Sequence, residues 1–128
     1  MLTNYIYWSL GLPIPYFQGV VMNAKHVNAQ FSLGELVHHK LFDYRGVVID
    51  VDPEFQLTDE WYEQVARSRP PKDHPWYHVL VHDGTHQTYV AEKNLESDES
   101  GEAVNHPAVD RIFSAFRNGR YETGSRAN

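Results

Sequence analysis

Between Trp76 and Glu92 the sequence runs twice through alternating apolar and polar positions around one tight turn. Tyr77, Val79 and Val81 alternate with Trp76, His78, Leu80 and His82, and after Asp83-Gly84 the segment His86 to Glu92 returns with Tyr89 and Ala91 on one face. Period-two alternation broken by Asp-Gly predicts an antiparallel hairpin, because glycine accepts a positive φ. Upstream, Tyr44 to Asp52 reads as a further strand. Val47, Ile49 and Val51 share one face, and Val48, Asp50 and Asp52 share the other. Gly46 predicts a bulge or bend in it, and Pro53 ends it. Gly34 to Lys40 alternates more weakly, with Leu36 and Val37 on opposite faces.

Two stretches change period. Thr58 to Arg69 predicts a short helix, with Thr58 as N-cap, Asp59 and Glu60 in the first turn, and Arg67 and Arg69 toward its end. Leu57 staples onto Tyr62, Trp61 and Val65 form an i, i+4 pair, and Pro70-Pro71 stops the helix. Farther on, His106-Pro107 reads as a cap, and Val109, Ile112, Phe113 and Phe116 form an i, i+3, i+4, i+7 stripe. This predicts a C-terminal helix ending at Asn118-Gly119. Asn94-Leu95 turns into a short last strand, and the acidic stretch 96–102 reads as a loop. The fold expected from the residues is mainly β: a small, antiparallel barrel or rolled sheet with one inserted helix and one C-terminal helix.

At 128 residues and 41% hydrophobic content there is material for one core. Residues 1–24 carry no charged side chain, and their apolar run stops at Pro13 and Pro15, short of the roughly 20 residues a membrane span needs. No basic n-region marks a secretory signal. We read 1–24 as an uncharged N-terminal extension, either a loose segment of the protein or sequence lying largely upstream of a native start at Met22, 25–119 as the domain, and 120–128 as a tail that frays. The absence of cysteine removes disulfides, thiol catalysis and Cys-ligated metals, and points to a reducing cytoplasm. Formal charge is −6, from 17 acids against 11 bases, so any nucleic-acid contact must use a local patch.

Chemistry is sparse. His78, His82 and His86 are spaced by four, but two strand residues so spaced lie roughly 13 Å apart, against a zinc–nitrogen bond of about 2 Å. His82 and His86 face each other across the turn and supply two ligands at most. The adjacent His38 and His39 point to opposite faces, one of them toward the core. Asp50 and Asp52 are about 6.6 Å apart on one face, a spacing open to acid–base work but also that of a solvated strand face. No nucleophile elbow, Walker loop, dinucleotide fingerprint or zincin motif occurs. The expectation is a protein that is not an enzyme, with no cofactor and no metal. A binding surface fits better: His38, His39, Lys40, Tyr44 and Arg45 combine groups suited to phosphate contact and stacking, and equally to a polar turn.

An ordered set of residues carries a resemblance. It runs Gly34, Val37 and His39; Tyr44-Arg45-Gly46-Val47-Val48, Asp50 and Asp52-Pro53; Pro75-Trp76-Tyr77-His78; Thr88-Tyr89-Val90-Ala91-Glu92; Asn94-Leu95; and His106-Pro107. The chain thus resembles, over about 31–107, the YccV-like family, the HspQ heat-shock family also labelled hemimethylated DNA-binding proteins. That resemblance implies an SH3-like barrel, a cytoplasmic location, self-association as homotrimers, and no catalytic residues. It also implies a role as adaptor to an ATP-dependent protease and its substrates, denatured proteins or regulators such as the initiator DnaA. The alternative is recognition of hemimethylated DNA at the replication origin.

As an adaptor, the chain would dock through Trp61 and Val65 or through Phe113 and Phe116, residue types that dominate interfaces, although the same groups can simply cover the core. As a DNA reader, it would use His38, His39, Lys40, Tyr44, Arg45, Trp76 and Tyr77: an aromatic against the N6-methyl of adenine, Lys40 and Arg45 against phosphates. Asp43, Asp50, Asp52 and Glu54 would repel the DNA backbone unless the fold segregates them. We therefore place the adaptor role first.

Overall fold

The structure, a computed structural model, describes residues 29–123. The expectations for 1–24, for the start at Met22 and for the last residues of the tail lie outside them. A five-stranded sheet has the order β4-β3-β2-β1-β5, built from β1 (Leu36–His39), β2 (Arg45–Asp52), β3 (Trp76–Val81), β4 (Gln87–Ala91) and β5 (Leu95–Ser97), all neighbours antiparallel. Helix α1 (Asp59–Val65) sits between β2 and β3, and a short helix α2 (Val109–Ile112) leads into a two-stranded hairpin, β6 (Phe113–Arg117) and β7 (Arg120–Thr123).

One connection shapes the sheet. β4 and β5 occupy opposite edges, yet only a 3₁₀ turn, Glu92–Asn94, separates them. The reach from Ala91 to Leu95 is about 14 Å at most. Five strands laid flat would hold those edges about 19 Å apart sideways alone. The sheet must therefore curl, and Val90 and Leu95 from the two edges meet in one cluster with Phe31, Val37, Val48, Tyr77 and Val79. β4 and β5 form no ladder with each other among the described residues, so the sheet is rolled and not closed into the expected barrel.

Both sheet faces are covered, and all six residues of β3 are buried. Leu36, Val47 and Leu80 pack under Val104, Val109, Phe113 and Tyr121, and Trp76, Tyr89 and Ala91 pack under Tyr62 and Ala66. α1 starts where expected: Thr58 Oγ1 accepts from Trp61 N at 3.0 Å. It ends at Val65, earlier than Arg69, with Arg69 at φ 51.

Four expectations are corrected. The C-terminal helix is only Val109–Ile112, because Asn118 and Gly119 both take positive φ (53 and 73) and make a two-residue hairpin turn. The stripe thus divides between two elements, and 120–123, expected to fray, form β7. Phe113 is buried and Phe116 half-buried against Tyr121, at ring distances of 5.0 and 4.5 Å, so these two residues cover the core, the covering role the sequence also offered them. In β2 the bulge falls at Ile49, not Gly46, which moves Val51 to the face of Val48. At the β3–β4 turn the positive φ, 63, belongs to Asp83, whose carboxylate accepts from Asn105 Nδ2.

Gly46 has a different reason: a Cβ there would stand 2.4 Å from both Leu80 O and Val79 Cγ1. Gly46→Ala is expected to lower unfolding free energy by about 1–3 kcal/mol in urea titrations. Gly84→Ala, whose Cβ would meet the exposed His86 ring at 3.2 Å and Val81 Cγ1 at an ordinary 3.5 Å, should stay within about 0.5 kcal/mol. Equal effects would contradict a close-approach role for Gly46.

Candidate functional site

The β1–β2 connection forms an exposed apolar tip. Leu41 is 57% and Phe42 69% exposed, whereas most of the large apolar residues among those described are buried. The tip is held from beneath by His39, which is 4% exposed. His39 Nδ1 accepts from the amides of Leu41 (3.1 Å) and Phe42 (3.0 Å), and the imidazole stacks on Phe42 at 4.7 Å and 19°. Two amides pointing at one ring nitrogen require that nitrogen to be unprotonated. Burial, with the neighbouring His38 adding to it, correspondingly brings the His39 pKa down to about 4. His39 therefore positions the tip from below, and of the two adjacent histidines it is the one turned to the core, as expected.

His38 lies on the opposite face and clasps the tip from the side. Its Nε2 is 2.7 Å from Asp43 Oδ1 and its Nδ1 2.7 Å from Glu96 Oε2. A ring donating to two carboxylates is an imidazolium, and the Asp43 and Glu96 hydrogen bonds raise its pKa. Arg45, expected to hold phosphate, is already engaged: its Nε donates to Asp98 Oδ2 at 2.9 Å and its Nη2 to the Glu102 carbonyl. Burial opposes ionisation of Asp98, but hydrogen bonds from Ser100 and Arg45 outweigh it and hold its carboxyl below the usual range. The 96–102 stretch is thereby tied back to β2.

Of the four acids expected to oppose DNA, Asp50 and Asp52 are withdrawn, while Asp43, its side chain 88% exposed at the tip, and Glu54 stay at the surface. Asp52 is buried, accepting from Tyr89 OH at 2.7 Å with His78 Nε2 at 3.3 Å. Asp50 is half-buried, and burial raises its pKa. The expected solvated strand face is thus absent. Asp50, Asp52 and His78 bring ligand atoms within 4.8 Å of one another, a grouping with the donor types for a metal ion. Tyr89 and His78 already bind Asp52, so the cluster works as a hydrogen-bonded strut beneath the sheet. Of the proposed stacking residues, Tyr77 is fully buried and donates to Glu92, while Trp76 is 1% exposed and donates to Pro71 O.

Beside the tip runs a groove of about 580 Å³. His39, Leu41, Phe42 and Tyr44 form one wall, Trp61 and Val65 of α1 the other, with Trp76 and Tyr89 below. The structure thus unites residues that the sequence suggested for separate roles. Tyr44 OH hydrogen-bonds Thr88 at 2.7 Å, and burial pushes its pKa up to about 12, so it stays neutral. Trp61 Nε1 is buried without a hydrogen-bond partner among the described residues.

Arg67 lies at one end of the groove, and Lys40 and Lys93 line the neighbouring cleft. Asn94 lines the groove beside Arg67 and Ser68, donates to Ser68 Oγ at 3.2 Å, and accepts from Lys40 N at 2.8 Å. Lys40, Arg67, Lys93 and, away from the groove, Arg111 are exposed and make no ion pair with a described carboxylate, whereas Arg45, Arg69, Lys72, Arg117 and Arg120 do. Reading the sequence missed Leu41, Phe42, Arg67 and Lys93. The available signal was an apolar pair inside a turn; the convergence of the cations depends on the 3₁₀ turn.

The two histidines titrate with opposite consequences. Stability from His38 is complete below about 6.5 and is lost as pH rises through its raised folded value; that from His39 is complete above about 6.5 and is lost as pH falls toward about 4. Melting temperatures of the wild type are expected to decline on the alkaline side, and those of His38→Gln to lack that decline. Parallel curves would dismiss the clasp.

Compared with known protein families, residues 29–120 match the model described as hemimethylated DNA-binding protein YccV like.

Proposed function

Because the chain belongs to the YccV-like family, matched over 29–120, we propose that it is a non-enzymatic DNA-binding protein that distinguishes hemimethylated from unmethylated duplex through the Leu41–Phe42 tip. The observation that carries this reading is the tip itself: two adjacent exposed apolar side chains, braced by His39, beside cations that no described carboxylate neutralises. A methyl group in the major groove is read by apolar contact. Phosphates need cations, and Lys40, Arg67 and Lys93 supply them at the adjoining end. Arg45 and His38 shape this surface without touching DNA, because their charges are already spent on Asp98, Asp43 and Glu96.

Burying one methyl is worth about 0.8 kcal/mol, roughly a fourfold change in Kd. Fluorescence anisotropy on paired duplexes is expected to show at least that preference in the wild type and almost none in Phe42→Ala. Each of Lys40→Ala, Arg67→Ala and Lys93→Ala should reduce the log–log salt slope by about 0.9. Absence of binding to either duplex at low salt would refute the reading.

The same exposed Leu41, Phe42 and Val65 favour a second reading, an adaptor that presents proteins to an ATP-dependent protease. Its own test is a reconstituted degradation reaction. Stimulation by the wild type that Phe42→Ala loses, with DNA binding absent, would put the adaptor first.

A further inference from the structure

We infer that the groove between the tip and α1 receives the N6-methylated adenine as a base extruded from the duplex, with Phe42 entering the stack that the base leaves. This rests on the DNA-binding reading and specifies its mechanism. A base edge lying within a duplex needs a projecting side chain to read it. The tip projects, but next to it is a hollow whose walls are aromatic: Tyr44 and Trp61 flank it, with Trp76 and Tyr89 beneath. Aromatic walls are useful to a base only when its faces are free of its neighbours, as in enzymes and readers that unstack one nucleotide. Its volume, about 580 Å³, lies within the range of pockets that enclose small ligands.

The surroundings fit the same event. Extrusion leaves a gap in the stack, and apolar wedges are the usual way to occupy one. Phe42, 69% exposed and stacked on His39, stands at the groove's lip in a fixed orientation. Rotating a nucleotide out also draws its flanking phosphates toward the protein. Arg67 lines the groove beside Asn94, and Lys40 and Lys93 line the neighbouring cleft beyond Ala91, which also holds Glu92; none of the three cations pairs with a described carboxylate, although the chain as a whole is acidic. The groove thus has charge complementarity to a nucleotide: neutral aromatic walls for the base and cations for its phosphates. The methyl favours the transfer, because it moves from water into an apolar lining.

The test uses the full chain, a hemimethylated duplex, and permanganate oxidation of the thymine opposite the methylated adenine. Reactivity at that thymine is expected to rise several-fold in the complex and to stay at background with unmethylated duplex. Replacing the opposite thymine by a mismatched base removes the pairing that extrusion must break, so affinity should rise about tenfold. Val65→Trp fills the groove from a position 46% exposed, which leaves the core intact. It should abolish both effects while binding to unmethylated duplex persists. Methyl-dependent binding with an unreactive thymine and no mismatch gain would overturn extrusion and leave the tip as a major-groove reader. No binding to any duplex would overturn both readings and assign the groove to a protein partner.

Discussion

The structure depends on a short tether. Ala91 and Leu95 belong to opposite edges of the sheet, and the single 3₁₀ turn between them cannot reach unless the sheet curls. Curling buries Val90 and Leu95 against the same residues and makes both faces of β3 interior. It also brings Asn94 to the base of the β1–β2 tip, where Lys40 N donates to its carbonyl and Ser68 accepts from its side chain. The tip, α1 and the cationic end are remote in sequence. They share one groove because this turn is short.

Electrostatics divides the surface. Among the described residues most cations are committed: Arg45 to Asp98, Arg69 to Glu63, Lys72 to Asp59, Arg117 to Glu122. Of the acids that would oppose a polyanion, Asp52 lies in the interior, and Asp43, although exposed, shares a hydrogen bond with His38. An acidic chain can therefore present a locally cationic edge, since screening over about 10 Å makes the nearest charges count most. The two neighbouring histidines illustrate how position decides chemistry. His38, facing two carboxylates, is charged; His39, buried with two amides pointing at Nδ1, is neutral.

What could be read in advance follows from locality. The β3–β4 hairpin, the strand ending at Pro53 and the Thr58 cap were legible because period and capping are local properties. The C-terminal stripe was misleading for the same reason. Val109, Ile112, Phe113 and Phe116 satisfy helical spacing, but Asn118-Gly119 closes a hairpin, and packing against Tyr121 favours the strand pair. At the site, His39, Tyr44, Trp61 and Val65 were legible as candidates without their common location. Arg45 looked available because its partner, Asp98, is remote in sequence. Trp76 and Tyr77 looked available because alternation identifies opposite faces and cannot show that both are covered.

The central claim is that DNA meets the tip and the Asn94 end of the groove. Amide chemical-shift mapping of the labelled protein, titrated with a hemimethylated duplex at low salt, tests it most directly. The shifts should concentrate at Lys40 to Phe42, Arg67-Ser68 and Lys93-Asn94, leaving the Arg117 to Arg120 turn unmoved. Shifts centred on that turn, or none at the tip, would contradict it.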